Sequence, residues 1–200
     1  MLYIVDNEKA IHDSIRRLAV AQTITVTYYD GVGVFLDEIS KKRRLAPQGE
    51  CLLLNIRTPI MSGTALLYAI VLRDLMQRLP VILMADHDDV TLAVDMMKHG
   101  AFDYFERPFN HYELIERVKK ALSVSSKEQT RRAIESRLAM LSAREMEVLD
   151  LVLAGNMNKV IGDKLGISPR TAEMHRYNIL KKTQVRNVME LARIYWEERI

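Results

Sequence analysis

The chain has 200 residues, 48% of them hydrophobic and 28% charged, the balance of a folded, water-soluble protein of one large or two small domains; a disordered or fibrous chain is excluded. Its net charge of +3 is unevenly placed: residues 1–123 carry 15 Lys+Arg against 16 Asp+Glu and residues 124–200 carry 14 against 10, so a polyanionic partner is expected toward the C-terminal end. The longest apolar run, residues 65–72, is about half of what a bilayer span needs and stops at Arg73, which excludes a membrane-spanning role. The opening "MLYIVD" reads as a strand with no basic region or cleavage site ahead of it, which implies no secretory signal and a cytoplasmic address. Cys51, the one cysteine, cannot form an internal disulfide and reads as a buried, inert thiol.

In chain order, strands are expected at "LYIV" (2–5), "TITVTYY" (23–29), "CLLL" (51–54), "PVILMA" (80–85) and "AFDYF" (101–105). Each is followed by a stretch with apolar residues at three- and four-residue spacing, the amphipathic helix signal: "EKAIHDSIRRLAVA", "DGVGVFLDEISKK", "GTALLYAIVLRDLMQ", "DVTLAVDMMKHG" and "HYELIERVKKAL". Five such units predict an α/β fold, a five-stranded parallel, doubly wound sheet over residues 1–123. The charged "SKEQTRRAIESRLAM" that follows is helix-permissive and reads as a helical linker over 124–140. Residues 141–200 are expected to form an all-α domain of four helices, "LSAREMEVLDLVLAG", "NKVIGDKLG", "SPRTAEMHRYNILKKT" and "RNVMELARIYWEERI". Ser142 and Glu145 make a capping box with Leu141 just outside it. Gly155 and Gly166 suit left-handed helix ends, and Ser168 with Pro169 supplies an N-cap and a first-turn proline.

The third strand empties through Asn55 into a Pro-Ile-Met-Ser-Gly loop, and open parallel sheets hold their reactive groups at such carboxyl ends. An amide is an odd choice there, since it is no nucleophile near pH 7 and a weak cation ligand.

The fragments "YIVDNE", "NIRTPIMSG", "ADHDDVTLAVDMMKHGAFDYFERPF" and "ELIERVKKAL", followed by "LSAREMEVLDLVLAGNMNKVIGDKLGISPRTAEMHRYNILKK", resemble in order and spacing a response regulator of the FixJ/NarL type. That resemblance covers almost the whole chain and implies a flavodoxin-like receiver followed by a LuxR-type helix-turn-helix. It also implies a phosphoryl-transfer site: an acceptor aspartate ending the third strand, two acidic residues after the first strand holding Mg²⁺, a hydroxyl after the fourth and a lysine after the fifth. In this chain those positions are Asn55, Asp6 with Asn7, Ala85 and Arg107, so only Asp6 keeps the expected type. The reading is a degenerate phosphorylation pocket with no catalytic residue, no metal and no cofactor. In it Asn55 bonds its neighbours, Asp6 among them, where two carboxylates would repel without a cation. Arg107 keeps a positive charge, but a planar guanidinium does not replace lysine's compact ammonium.

Other polar groups have plainer readings. "DHDD" (86–89) fits a loop and helix start, where aspartates gather for capping. His12, His87, His99 and His111 have no spaced partner set. Tyr104 falls on the family's aromatic switch position, although strand aromatics are more often core. Arg107-Pro108 resembles a family Lys-Pro bond that tends to be cis, and "KKRR" (41–44) reads as a solvated helix end.

The third helix of the last domain carries recognition features. Residues 168–186 hold Arg170, Arg176, Lys181, Lys182 and Arg186 against a single Glu173. By resemblance Glu173, Met174 and Tyr177 face the major groove, Arg170, Thr171, Arg176, Asn178, Lys181 and Lys182 hold backbone or flanking positions, and His175 packs or touches phosphate. Val188, Leu191, Ala192 and Tyr195 resemble the family's dimerisation face, which implies a homodimer on paired half-sites of double-stranded DNA. The expected function is a transcriptional regulator that needs no phosphorylation and is not an enzyme. The alternative is a module whose pseudo-receiver binds a partner protein or small ligand, with DNA binding masked or secondary.

Overall fold

A computed structural model describes residues 1–41, 46–57, 63–72, 75–76 and 78–197, and the chain divides into two compact units, Met1–Gln129 and Thr130–Ile200. In the first unit, strands β1 (Leu2–Val5), β2 (Val26–Tyr29), β3 (Cys51–Asn55), β4 (Val81–Ala85) and β5 (Asp103–Glu106) pair in parallel in the order β2-β1-β3-β4-β5. Helices α1 (Lys9–Ala21), α2 (Val32–Lys41), α3 (Gly63–Leu72), α4 (Val90–Lys98) and α5 (His111–Leu138) follow the strands in turn, with a single 3-10 turn at His87–Asp89 ahead of α4.

The two-residue alternation of a strand explains how the sheet is covered. Tyr3, Val5, Leu52, Leu54, Val81 and Leu83 pack on one face with Phe35 of α2, Leu66, Leu67 and Ile70 of α3 and Ala93 and Met96 of α4. Their neighbours Leu2, Ile4, Cys51, Leu53, Ile82 and Met84 pack on the other face with Ile15 and Ala19 of α1 and Leu114, Ile115 and Val118 of α5. Covering both faces lets β1 and β4 be apolar throughout, and β3 as far as Leu54. Cys51 is fully buried and its thiol is pushed up by desolvation, out of the reactive range.

Several boundaries differ from the sequence expectation for local reasons. Strand β2 begins three residues late because a turn closes α1, with Thr23 at φ 58° and its N–H bonded to Val20 O at 2.9 Å. Residues 124–140 are not a separate linker helix. Nothing between 111 and 138 is Gly or Pro, so the last receiver helix runs on for 28 residues, as α5. Ser125, inside the expected linker, belongs to the first unit: its Oγ donates to Arg78 O at 2.5 Å and accepts from the Glu50 N–H at 2.8 Å. Gly49 lies in the same place, at φ 83°, with its α-carbon against the Leu122 carbonyl where no Cβ fits.

The second unit contains α6 (Ala143–Leu153), α7 (Asn158–Leu165), α8 (Pro169–Thr183) and α9 (Val188–Glu197). Its ends are capped as the residues predict. Ser142 and Glu145 form the reciprocal box at α6, Ser168 accepts from the Thr171 N–H at α8, and Gly155 and Gly166 sit at φ 78° and 64° after α6 and α7. Val148, Leu149 and Val152 of α6, Ile161 of α7, Ala172 and Ile179 of α8 and Leu191 and Tyr195 of α9 form its core.

Candidate regulatory cleft and nucleic-acid interface

Parallel pairing in register, with Val5 beside Leu54, Asn55 beside Met84 and Ala85 beside Glu106, brings the carboxyl ends of four strands together. Asp6, next after β1, has a side chain 0% exposed. Its Oδ1 accepts from Asn55 Nδ2 and from the Glu8 N–H, both at 3.0 Å, and its Oδ2 accepts from Arg107 Nη2 at 2.8 Å. Arg107, 14% exposed, donates from Nη1 to Glu8 Oε1 at 2.6 Å. Asn55 Oδ1 accepts from the Arg57 N–H at 3.0 Å, which fixes the way the amide faces. The structure thus joins Asp6, Asn55 and Arg107. Ala85 contributes a buried methyl and a carbonyl that accepts from the Arg107 N–H at 2.9 Å, while Asn7 points into solvent.

These residues do not fit Mg²⁺. The ion demands near-octahedral oxygen ligation, and here one carboxylate is fully engaged by an amide, a backbone N–H and a guanidinium that already supplies the positive charge. Among the described residues no group of three His, Cys, Asp or Glu side chains is placed for a metal ion.

Two participants were not singled out from the sequence. Glu8 completes the Arg107 fork, and Arg57 spans from the end of β3 to Asp89, its Nε 3.0 and 2.8 Å from the two carboxylate oxygens. That bond, with the Coulomb attraction behind it, raises the Arg57 pKa. Glu8 lies two residues beyond Asp6 and Arg57 two beyond Asn55, and that spacing is their signal in the sequence. Of "DHDD", Asp89 is buried in that pair, Asp86 and Asp88 are exposed, and His87 Nδ1 lies 2.6 Å from Glu106 Oε1, a bond that raises the imidazole pKa. His12 stacks on Tyr28, His99 meets the Asp95 carbonyl and Tyr68, and His111 meets Phe109. Tyr104 packs partly buried against the core, and Arg107-Pro108 is cis. Residues 42–44 of the basic run and residues 58–62 lie outside the described residues.

On α8 the polar residues divide into two sets. Arg170, Glu173, Met174, Tyr177 and Lys181 are exposed, and Arg186 just beyond is too. Thr171 is tied into the cap, its Oγ1 2.8 Å from Ser168 Oγ, and Asn178 is half-buried. His175 is half-buried, its Nδ1 without a partner among the described residues. Two cations expected on the DNA face are committed internally. Arg176 donates to Asn158 Oδ1 at 3.0 Å, bracing α8 against the start of α7, and Lys182 donates to Glu145 Oε2 at 2.6 Å. Burial pushes the Glu145 carboxyl up, but the Lys182 and Ser142 hydrogen bonds outweigh it and hold the pKa below the ordinary carboxylate value.

The expected dimerisation face needs correction. Leu191 and Tyr195 lie in the core of their own unit and Val188 packs against it, with Ala192 half-buried. A helical stripe of apolar residues marks the inward face of a small bundle as readily as an interface. The outward stripe of α9 is Met189, Arg193 and Trp196, with Met189 83% and Trp196 53% exposed.

Comparison with known proteins matches residues 2–119 to the response regulator receiver domain and residues 139–195 to the bacterial regulatory proteins of the luxR family. The chain is 39% identical over 198 residues to the C4-dicarboxylate transport transcriptional regulatory protein DctR of Rhodobacter capsulatus, covering 96% of this chain and 98% of DctR. It is 31% identical to the response regulator protein TodT of Pseudomonas putida, covering 97% of this chain and 84% of TodT. The crystal structure of full-length FixJ from B. japonicum is similar with a TM-score of 0.57 and 31% identity, over 98% of this chain and 96% of that one.

Proposed function

Because the chain belongs to the response regulators that join a receiver domain to a LuxR-type DNA-binding domain, and is therefore a transcriptional regulator and not an enzyme, we propose that it binds its operator without phosphorylation. One observation carries this reading. The residue that ends β3 is an amide, and it donates to a buried Asp6 whose remaining oxygen is held by Arg107. Asn55 has no carboxylate to take a phosphoryl group, Ala85 has no hydroxyl to receive its oxygen, and the pocket is closed on itself.

DNA contact falls to the exposed face of α8. Glu173, accepting from a cytosine amino group, and Met174, touching a thymine methyl, discriminate bases, with Tyr177 beside them. Arg170, Lys181 and Arg186 grip phosphates, Thr171 and Asn178 flank them, and Arg176 and Lys182 hold α8 in place. A two-fold dimer presents six such cations, for a slope of log K against log salt of about −5. The outward stripe of α9 is the face left for the second copy.

The test is selection of duplex DNA from a random pool by untreated protein, with and without acetyl phosphate and Mg²⁺. The same operator at the same affinity is expected in both arms. Glu173→Ala should erase a base preference, and Arg170→Ala should weaken all sequences alike and flatten the salt slope by about 2 for a dimer. Specific binding that arises only after phosphodonor treatment refutes the proposal.

A further inference from the structure

We propose that Arg107 is the resident cation of the cleft: its guanidinium, held between Asp6 and Glu8, takes the role of a bound divalent ion and makes the cleft refuse one. This rests on reading the cleft as closed to phosphoryl chemistry, and its test reads no DNA binding, so either can fail alone.

The argument starts from Asp6. A carboxylate with a side chain 0% exposed requires a compensating charge, because burying an isolated anion is far costlier than burying a paired one. Its contacts are the Asn55 amide, the Glu8 N–H and Arg107, and of these only Arg107 carries a full positive charge. The guanidinium does not stop at one carboxylate. Nη2 reaches Asp6 at 2.8 Å and Nη1 reaches Glu8 at 2.6 Å, so a planar fork bridges two acidic side chains as a divalent ion would. A lysine in its place offers a single point charge and cannot present two separate nitrogens.

The fork also ties the loops after β1 and β5, and the Asn55–Asp6 bond adds the end of β3. Three strand ends are thereby held without any ion from solution. A cation arriving at Asp6 Oδ2 would have to share that oxygen with a guanidinium nitrogen already 2.8 Å from it, and two like charges crowded on one oxygen repel. Refusal of the metal and closure of the cleft come from one side chain.

Full-length wild type, Arg107→Ala, Arg107→Met and the double variant Arg107→Ala/Asp6→Asn are titrated with Mn²⁺. Binding is followed by electron paramagnetic resonance and by paramagnetic broadening of the Asn55 side-chain amide signal. Wild type should show no broadening at Asn55. Arg107→Ala should bind Mn²⁺ at least about tenfold more tightly, with broadening at Asn55 that the double variant loses. Methylguanidinium added to Arg107→Ala should compete with Mn²⁺ and restore part of the lost thermal stability. If Arg107→Ala does not fold, Arg107→Met, uncharged and nearer in bulk, carries the same comparison, with Mn²⁺ binding gained over wild type. Broadening at Asn55 in wild type, or equal Mn²⁺ affinity in wild type and the folded Arg107 variant, overturns the proposal.

Discussion

Replacing Asn55 by aspartate restores the acid that receivers use, and it should weaken this protein. Asn55 Nδ2 lies 3.0 Å from Asp6 Oδ1, so the change turns a donated hydrogen bond into a contact of two anions. At an effective dielectric constant of about 20, two unit charges at that distance repel by about 5 kcal/mol, and the lost hydrogen bond to a charged acceptor adds about 1.5–3 kcal/mol. The pair has an escape, because one carboxyl can take a proton and become a donor again. An unfolded aspartate titrates near about 3.9, so holding that proton at pH 7 costs about 4 kcal/mol, which caps the loss; at pH 5 the cap falls to about 1.5 kcal/mol. The folded variant binds a proton that the unfolded chain does not, so its deficit against wild type is largest at neutral pH and shrinks as pH falls. Urea unfolding of both proteins at pH 7 and pH 5 reads this directly. Equal stability at pH 7, or a deficit that grows with acidity, would refute the reasoning by showing that Arg107 has charge to spare for a second carboxylate.

Three further outcomes are expected. Lys182→Met strips the ammonium from Glu145, whose side chain is 5% exposed, and, because Lys182 itself is 41% exposed and water screens the pair, should cost about 1 kcal/mol at pH 7 by calorimetry. Because the Glu145 pKa is held down in the fold, that contribution is present above the ordinary carboxylate value and fades as pH falls through the lowered one, so the two proteins should converge in acid. Leu191→Ala should cost about 2–4 kcal/mol in urea unfolding while light scattering shows an unchanged oligomeric state, and the reverse pattern would return Leu191 to an interface. Gly49→Ala combines a φ of 83° with a collision against the Leu122 carbonyl and should lose at least about 2 kcal/mol, which a urea midpoint unchanged from wild type would contradict.

The sheet was legible because burial on a strand obeys a period of two, so "LYIV", "CLLL" and "VILMA" announce strands covered on both faces. Helix caps were legible for a similar reason: Ser142 with Glu145 and Ser168 with Pro169 are local devices, complete within four residues. What stayed hidden is what depends on distant partners. Lys181 and Lys182 are adjacent and chemically identical, yet one is exposed and the other is held by Glu145, 37 residues away in the chain. The stripe on α9 has the right period for either side of a helix, and only its packing against the rest of its unit decides that Leu191 and Tyr195 point inward. In the cleft, each substitution could be read singly, but the Arg107 fork joins residues 99 and 101 positions apart and depends on strand order. The end of α5 is not marked in the sequence, because a charged, helix-permissive stretch carries no stop signal and looks the same as linker or as continuation.

The fork between Asp6 and Glu8 has a consequence for what this protein is able to report. An ion or phosphate that binds obeys mass action, so its occupancy follows concentration and can be diluted or chelated away. A charge carried by the chain has no off-rate and no ambient level to follow; it is in place once the strands have paired. On the reading proposed above, the charge of the cleft is therefore set when the chain folds, and any regulation through it falls to something other than the level of an ion or a phosphate.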